Sequence, residues 1–176
     1  MKFKELSLYL EKLEKTSSRI EITKILADLF KQSSSDEIDK IVYLLAGNLA
    51  PSYKGIVFNL AEKMMIRVIA KAYGQDEGKV NSEYKKVGDL GLVAESLSKG
   101  QKNNDKGFSV LAVYEEMYKM AKDSGEGSQE RKVNQTANLL KDLDPLSCRF
   151  VSRIPTGKLR LGFSDKTVLD ALSWMV

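Results

Sequence analysis

The amino-acid sequence predicts an all-α fold, a single compact domain of roughly ten helices with a short extended segment near residues 158–161. Apolar residues recur at spacings of three and four along most of the chain, which is the pattern of helices with one buried face. Short polar or glycine-containing stretches separate these segments. The 176 residues are 43% hydrophobic and 30% charged, with three prolines, a composition typical of one globular domain.

The first half of the chain contains three amphipathic segments and then one strong helix. The apolar faces comprise, in order, Phe3, Leu6, Leu10 and Leu13; Ile22, Ile25, Leu26, Leu29 and Phe30; and Ile38, Ile41, Val42 and Leu45. Gly47 is expected to end the third helix in a left-handed conformation. After an ordered loop over residues 49–55, Asn59 is expected to cap a helix that Gly74 follows.

The second half contains shorter helices around residues 80–84 and 89–97, and an exposed, mobile loop over residues 99–107. Further helices are expected from residue 110, after the Gly125-Glu126-Gly127 break, after Pro145, and after Ser164. Between the last two, Lys158 and Arg160 alternate with leucines. An extended backbone would place the two cations on one side and the leucines on the other.

Several classes of function are excluded by composition. The chain has no histidine, which removes Ser-His and Cys-His nucleophile systems, imidazole bases and most zinc sites. The single cysteine, Cys148, excludes an internal disulfide and is expected to be a small, partly buried residue. The sequence lacks an apolar run of the roughly 20 residues that a membrane span needs. A net charge of +4 and a pI of about 9.0 permit a polyanionic partner without identifying it.

Five motifs occur in a recognisable order. They are Leu49-Ala-Pro-Ser-Tyr-Lys-Gly55, Gly88-Asp-Leu-Gly-Leu-Val-Ala-Glu95, Ser124-Gly-Glu-Gly-Ser-Gln129, Thr156-Gly-Lys-Leu-Arg-Leu-Gly162 and Thr167-Val-Leu-Asp-Ala-Leu172. Together the motifs extend over nearly the whole chain. In their order and spacing they resemble the N-terminal DNA-binding domain of ATP-dependent DNA ligases of the archaeal and eukaryotic replicative type. Glu14, Thr16 and Arg19 also occur at the spacing found in that family.

The resemblance implies sequence-independent binding of nicked duplex DNA through phosphates and the minor groove, in DNA replication and repair. In the family, an adenylation domain and an OB-fold domain carry catalysis, with AMP transferred to the lysine of a Lys-x-Asp-Gly motif. That motif is absent from residues 1–176. We therefore expect no catalytic residue, metal or cofactor in this chain, and no activity by it alone. ATP and Mg²⁺ would belong to the parent enzyme, located in the cytoplasm of a prokaryote or the nucleus of a eukaryote.

The candidate DNA-binding residues lie mainly in glycine-containing turns at helix ends. Glycine permits positive φ and close approach to a ligand, and amides at a helix N-terminus donate to phosphate oxygens. Residues 146–176, which contain five Lys or Arg and two acids, are expected to contact phosphates most tightly. The candidates are Pro51, Tyr53, Gly55, Gly125, Gly127, Ser128, Gln129, Lys132, Arg149, Arg153, Thr156, Gly157, Lys158 and Arg160.

Structural alternatives exist for each motif. The glycines could be helix C-caps, and Lys158 and Arg160 a solvated face. Residues 88–91 could be purely structural, with Asp89 as an N-cap. Tyr53 could pack under its own loop.

Two partner hypotheses accompany DNA and the ligase catalytic domains. In archaeal relatives, the loop corresponding to residues 101–108 contains a glutamine followed by paired aromatics and binds the sliding clamp. Here Gln101 is present but only Phe108 is aromatic, so the loop departs from the pattern that clamp binding requires. Alternatively, the chain is a helical adaptor that docks a partner helix and does not bind nucleic acid.

Overall fold

The computed structural model describes residues 1–58, 60–102, 104–157 and 159–176. All regular secondary structure in these residues is helical, which confirms the all-α prediction. The α-helices are α1 (Phe3–Glu14), α2 (Arg19–Gln32), α3 (Ile38–Leu45), α4 (Glu62–Tyr73), α5 (Glu77–Val87), α6 (Leu90–Lys99), α7 (Val110–Lys122), α8 (Ser128–Lys141), α9 (Pro145–Arg153) and α10 (Asp165–Trp174). Single 3-10 turns span Ser52–Lys54 and Ile154–Thr156.

One continuous hydrophobic core joins these helices. The closest packed pairs are α6 with α9, α4 with α8, and α2 with α10. Phe3, Phe30, Met65 and Phe150 are among its fully buried side chains. Cys148 is also fully buried, and burial raises the pKa of its thiol to about 11, so the sulfur is protonated and unreactive at neutral pH.

Helix boundaries follow local capping chemistry. The side chains at the N-cap positions of α2, α5, α6, α7 and α9 accept hydrogen bonds from first-turn amides; they are Ser18, Asp76, Asp89, Ser109 and Asp144. α5 begins at Glu77, earlier than its apolar pattern indicated, because Asp76 caps it. Gly74 follows α4 in the left-handed conformation, as predicted. The N-cap of α4 is Ala61, and the predicted cap Asn59 lies outside the described residues.

The loop that corresponds to the clamp-binding segment of archaeal relatives, residues 101–108, is attached to the domain at both ends. The Gln101 side-chain amide donates to the Tyr73 carbonyl at 3.4 Å. Phe108 packs partly buried against the core, and its carbonyl accepts the Phe3 amide at 2.9 Å. Gln101 and Phe108, the two residues on which clamp binding would depend, are therefore both engaged within this domain.

The segment near residues 158–161 differs from the extended geometry that alternation predicted. Leu159 is buried, Arg160 exposed and Leu161 half-buried, so the alternation of exposure is present. The backbone nevertheless turns at Arg160, which has a φ of 62°. In this conformation the Arg160 side chain bonds to the Gly88 carbonyl of the turn between α5 and α6. Among the described residues, no helix is long and apolar enough to cross a membrane.

Candidate nucleic-acid interface

α4 and α8 pack in parallel, which places their N-termini at one end of the domain. Arg67 of α4 pairs with Glu130 of α8 at 2.6 Å, and Lys71, one turn later, bonds to Asn134, one turn after Glu130. This register aligns Gly127 with the first turn of α4. The predicted Gly125 to Gln129 turn therefore lies beside the α4 N-terminus.

The turn at residues 156–160 meets the same end of α4. Glu62, the first residue of α4, lines a small cleft together with Asp89, Thr156 and Arg160. Gly47, which precedes the 49–55 loop, lines a neighbouring groove that also contains Gly157. The loop thus begins near the 156–160 turn, and residues 56–61 connect it to α4. The tertiary structure brings both predicted turns, and the start of the predicted loop, to one end of the domain.

The turn before α8 presents backbone donors to solvent. Gly127 is the N-cap of α8 with a φ of 75°, a left-handed conformation that disfavours side chains with a Cβ. The cap has no side-chain hydrogen bond, and no protein acceptor is found within the described residues for the amides of Gln129 and Glu130. Gly125, Gly127 and Gln129 are exposed. Helix amides of this kind are ready donors for an anion.

Two cations follow this turn, Arg131 and the candidate DNA-binding residue Lys132, and neither side chain extends freely into solvent. Arg131 bends back onto the turn, where it donates to both carboxylate oxygens of Asp123 at 2.8 and 2.9 Å and to the Glu126 carbonyl at 2.9 Å. The hydrogen bond from Arg131 lowers the pKa of Asp123. Lys132 is 7% exposed because it faces the helix neighbours of α8. Arg131 therefore stabilises the turn through these hydrogen bonds, and the Lys132 side chain exposes little surface to solvent.

The 51–55 loop projects from the domain. The Tyr114 hydroxyl bonds to the Leu49 carbonyl, and the Lys54 amide donates to the carbonyl of the half-buried Pro51 at 3.0 Å, so the loop is ordered. Tyr53 is 83% exposed, which excludes the alternative that it packs under the loop. Gly55 is also exposed, with a φ of 63°. An exposed tyrosine ring beside a lysine suits contact with a sugar–phosphate surface.

The 156–160 turn offers fewer free donors than predicted. The Gly157 amide donates to the Ile154 carbonyl at 3.0 Å, and the Thr156 hydroxyl donates to the Arg153 carbonyl at 3.0 Å. Gly157, a candidate DNA-binding residue, therefore offers no free amide to a ligand. Lys158 lies outside the described residues. Arg160 remains as a half-exposed cation.

Arg149 and Arg153 do not lie on the surface as predicted. Arg153 is 2% exposed; its guanidinium donates to Asp89 and, at 2.9 Å, to Glu14. Arg149 pairs with Glu95 at 2.5 Å and with Glu14 at 3.2 Å. Carboxylates from other helices bind both guanidinium groups, so neither arginine belongs to the candidate interface. No local sequence pattern identified these three carboxylates as their partners.

Asp89 connects this buried ion network to the 156–160 turn. Burial alone would raise the pKa of its carboxyl group, but the hydrogen bond and charge of Arg153 outweigh it and hold the pKa below its usual range. Asp89 also accepts the Gly91 amide at 2.9 Å, which confirms its predicted N-cap role. Gly91 lies against α9: a Cβ there would be 2.5 Å from the Arg149 carbonyl oxygen. Residues 88–91 thus act through contacts within the domain, as an N-cap and a close helix contact.

Two exposed lysines complete the surface, and neither was among the candidate DNA-binding residues. Lys54 lies in the loop and Lys63 in the first turn of α4. Neither forms an ion pair within the part of the chain that the structure describes. Lys54 falls within the 49–55 motif and could have been selected from it, whereas Lys63 belongs to no motif and only its position at the start of α4 distinguishes it.

Comparisons with known proteins identify the family of this chain. The family model described as DNA ligase N terminus matches residues 2–173. The chain is 43% identical to a probable DNA ligase of Dictyoglomus thermophilum over 99% of this chain and 29% of the relative. It is 42% identical to DNA ligase 2 of Thermofilum pendens (94% and 29%) and to a DNA ligase of Saccharolobus solfataricus (98% and 31%). It thus spans about three tenths of these relatives. Because the family model covers almost all of the sequence, the chain belongs to the DNA ligase N-terminus family.

Proposed function

We propose that this domain binds nicked duplex DNA without sequence preference, as the DNA-binding part of an ATP-dependent DNA ligase in replication and repair. The observation that carries the proposal is that the 125–129 turn and the 156–160 turn meet at the N-terminal end of α4, while the 49–55 loop with its exposed Tyr53 starts near the 156–160 turn. The proposed interface comprises Pro51, Tyr53, Lys54, Gly55, Lys63, Gly125, Gly127, Ser128, Gln129, Thr156, Gly157, Lys158 and Arg160.

The chemistry of this surface fits the DNA backbone better than base edges. Its donors are main-chain amides and lysine or arginine groups, which contact phosphates and position a protein without selecting a sequence. A DNA ligase must act on nicks in any sequence context. Contacts that do not depend on base identity are therefore appropriate for its function. Adenylation, with its ATP and Mg²⁺, would take place in the catalytic domains of the ligase, which would be the protein partners of this domain.

Salt dependence tests the proposal. We expect the isolated domain to bind a fluorescent nicked duplex with a dissociation constant on the order of 10⁻⁴ to 10⁻⁶ M and a steep salt slope. Combined Lys54→Ala and Lys63→Ala substitutions should reduce the slope of log K against log salt by about 0.9 for each phosphate that the variant no longer neutralises. Fluorescence polarisation at several salt concentrations measures both quantities.

Lys141→Ala is the matched control, because this exposed lysine ends α8 and lies about 20 Å along the helix from its N-terminus. It should leave the slope unchanged. Equal effects of the control and the double variant would contradict the location of the interface. Failure of the wild-type domain to bind duplex DNA at low salt would refute DNA binding and favour the adaptor alternative.

A proline substitution tests the free amides of α8. Gln129→Pro removes a first-turn N–H that has no protein acceptor among the described residues, and proline is tolerated in a first helical turn. Since a hydrogen bond to a charged group contributes roughly 1.5–3 kcal/mol, we expect nicked-duplex affinity to fall about tenfold or more. Gln129→Ala keeps the amide and should bind much more tightly than the proline variant. Similar affinities for the two variants, with unchanged melting temperatures, would exclude an amide contact at this position.

A further inference from the structure

Arg160 has an unusual backbone conformation. Among the described residues it is the one non-glycine with a positive φ, at 62°. The left-handed region is unfavourable for residues with a Cβ and persists only where other contacts compensate. An arginine at position 160 therefore depends on compensating contacts, and its own side chain makes such contacts.

Those contacts come from the turn between α5 and α6. The Arg160 Nη2 atom donates to the Gly88 carbonyl at 2.5 Å, and its Nε lies 3.6 Å from an Asp89 carboxylate oxygen. The Arg160 side chain is still 46% exposed. A guanidinium has five N–H donors in a rigid plane, so part of it can be held by protein while the rest meets a ligand.

Asp89 is itself fixed from several directions. It is 5% exposed, accepts the Gly91 amide at 2.9 Å and binds the buried Arg153 through the Arg153 Nε at 3.2 Å. Arg153 in turn lies close to the Leu159 carbonyl, at 3.5 Å, directly before Arg160. One carboxylate thus links the start of α6, the end of α9 and the 156–160 turn. Its burial keeps Asp89 itself from reaching DNA.

We propose that Asp89 is a positioning residue for the DNA interface: together with the Gly88 carbonyl it orients Arg160 before DNA arrives, so that the exposed part of the guanidinium contacts a backbone phosphate. An arginine that is already ordered loses less side-chain conformational entropy when DNA binds. The smaller entropy loss increases the affinity for DNA. The inference rests on the proposed function, because it assigns Arg160 to the DNA surface.

A double-mutant cycle tests the coupling between these residues. Arg160→Gly removes the guanidinium and suits the left-handed backbone. It should weaken nicked-duplex binding about tenfold and reduce the salt slope by about 0.9. Asp89→Asn retains an oxygen for the Gly91 amide but removes the charge. It should weaken binding about threefold to tenfold with the slope unchanged, because the phosphate contact survives. In the Arg160→Gly background, Asp89→Asn should have no further effect on affinity.

Glu14→Gln separates positioning from general destabilisation. Glu14 binds Arg153 but makes no contact with Arg160 among the described interactions, so this variant should melt at a lower temperature and bind DNA as the wild type does. If Asp89→Asn proves too unstable to assay, Arg160→Lys tests the positioning role instead. It preserves the charge but not the planar orientation, and should lower affinity while keeping the slope.

Two results would overturn the positioning role while leaving DNA binding intact. They are additive effects of Asp89→Asn and Arg160→Gly in the cycle, and wild-type affinity for Arg160→Lys. Absence of duplex binding by every form of the domain, including the wild type, would instead remove the proposed function on which the inference depends.

Discussion

Replacing Arg153 with methionine should destabilise the domain by about 3–5 kcal/mol, because it removes the most buried cation of the network and leaves the buried Asp89 carboxylate with only the half-exposed Arg160 nearby. Arg153 is 2% exposed, and the carboxylates of Asp89 and Glu14 both bind its guanidinium. Methionine fills much of the same space, so the destabilisation reflects charge more than a cavity. For a domain of this size the melting temperature should fall by on the order of 10 °C, measurable by calorimetry or circular dichroism.

Arg131→Met is a matched control for this change. Arg131 also donates two hydrogen bonds to one carboxylate, that of Asp123, but its side chain is 48% exposed and water can replace the missing partner. The melting temperature of this variant should stay close to that of the wild type. If both variants melted at the same reduced temperature, burial of the Arg153 network would not be the source of its effect.

Replacing Gly91 with alanine should destabilise the domain by about 3 kcal/mol, the upper part of the range for overpacking in a core. The added Cβ would lie 2.5 Å from the Arg149 carbonyl oxygen and 2.7 Å from the Arg153 Nε. A backbone carbonyl cannot move away by rotating a side chain, so α9 must shift relative to α6. Because α9 leads into the 156–160 turn, nicked-duplex affinity should fall together with the melting temperature.

Gly100→Ala, at the C-terminal end of the same helix, separates this clash from the general effect of replacing a glycine. Gly100 has a φ of −80°, and a Cβ there would make ordinary contact at 3.5 Å. Alanine at such a position is tolerated or stabilising, since it reduces the freedom of the unfolded chain. Equal destabilisation by the two substitutions would contradict the packing explanation for Gly91.

Much of the proposed DNA face could be located from local sequence, but its donors could not. The motifs at residues 51–55, 125–129 and 156–160 indicated exposed turns. The structure places the last two beside the first turn of α4, and the 49–55 loop starts near the 156–160 turn. The free donors are different from those expected. The amides of Gln129 and Glu130 are available, whereas the Gly157 amide is already bound within its own turn. Hydrogen bonds inside a tight turn depend on backbone angles that residue types do not specify.

The sequence by itself determined the all-α architecture, because apolar spacing and capping residues act over a few neighbouring positions. It also determined the family, through motifs in a fixed order, and the absence of histidine-based chemistry. Only the tertiary structure decided which cations face solvent. Arg153 looks like a surface residue until Asp89, 64 positions away, and Glu14, 139 positions away, are packed against it. The burial of a charge depends on partners supplied by distant parts of the chain, and a local sequence pattern does not reveal which residues those partners are.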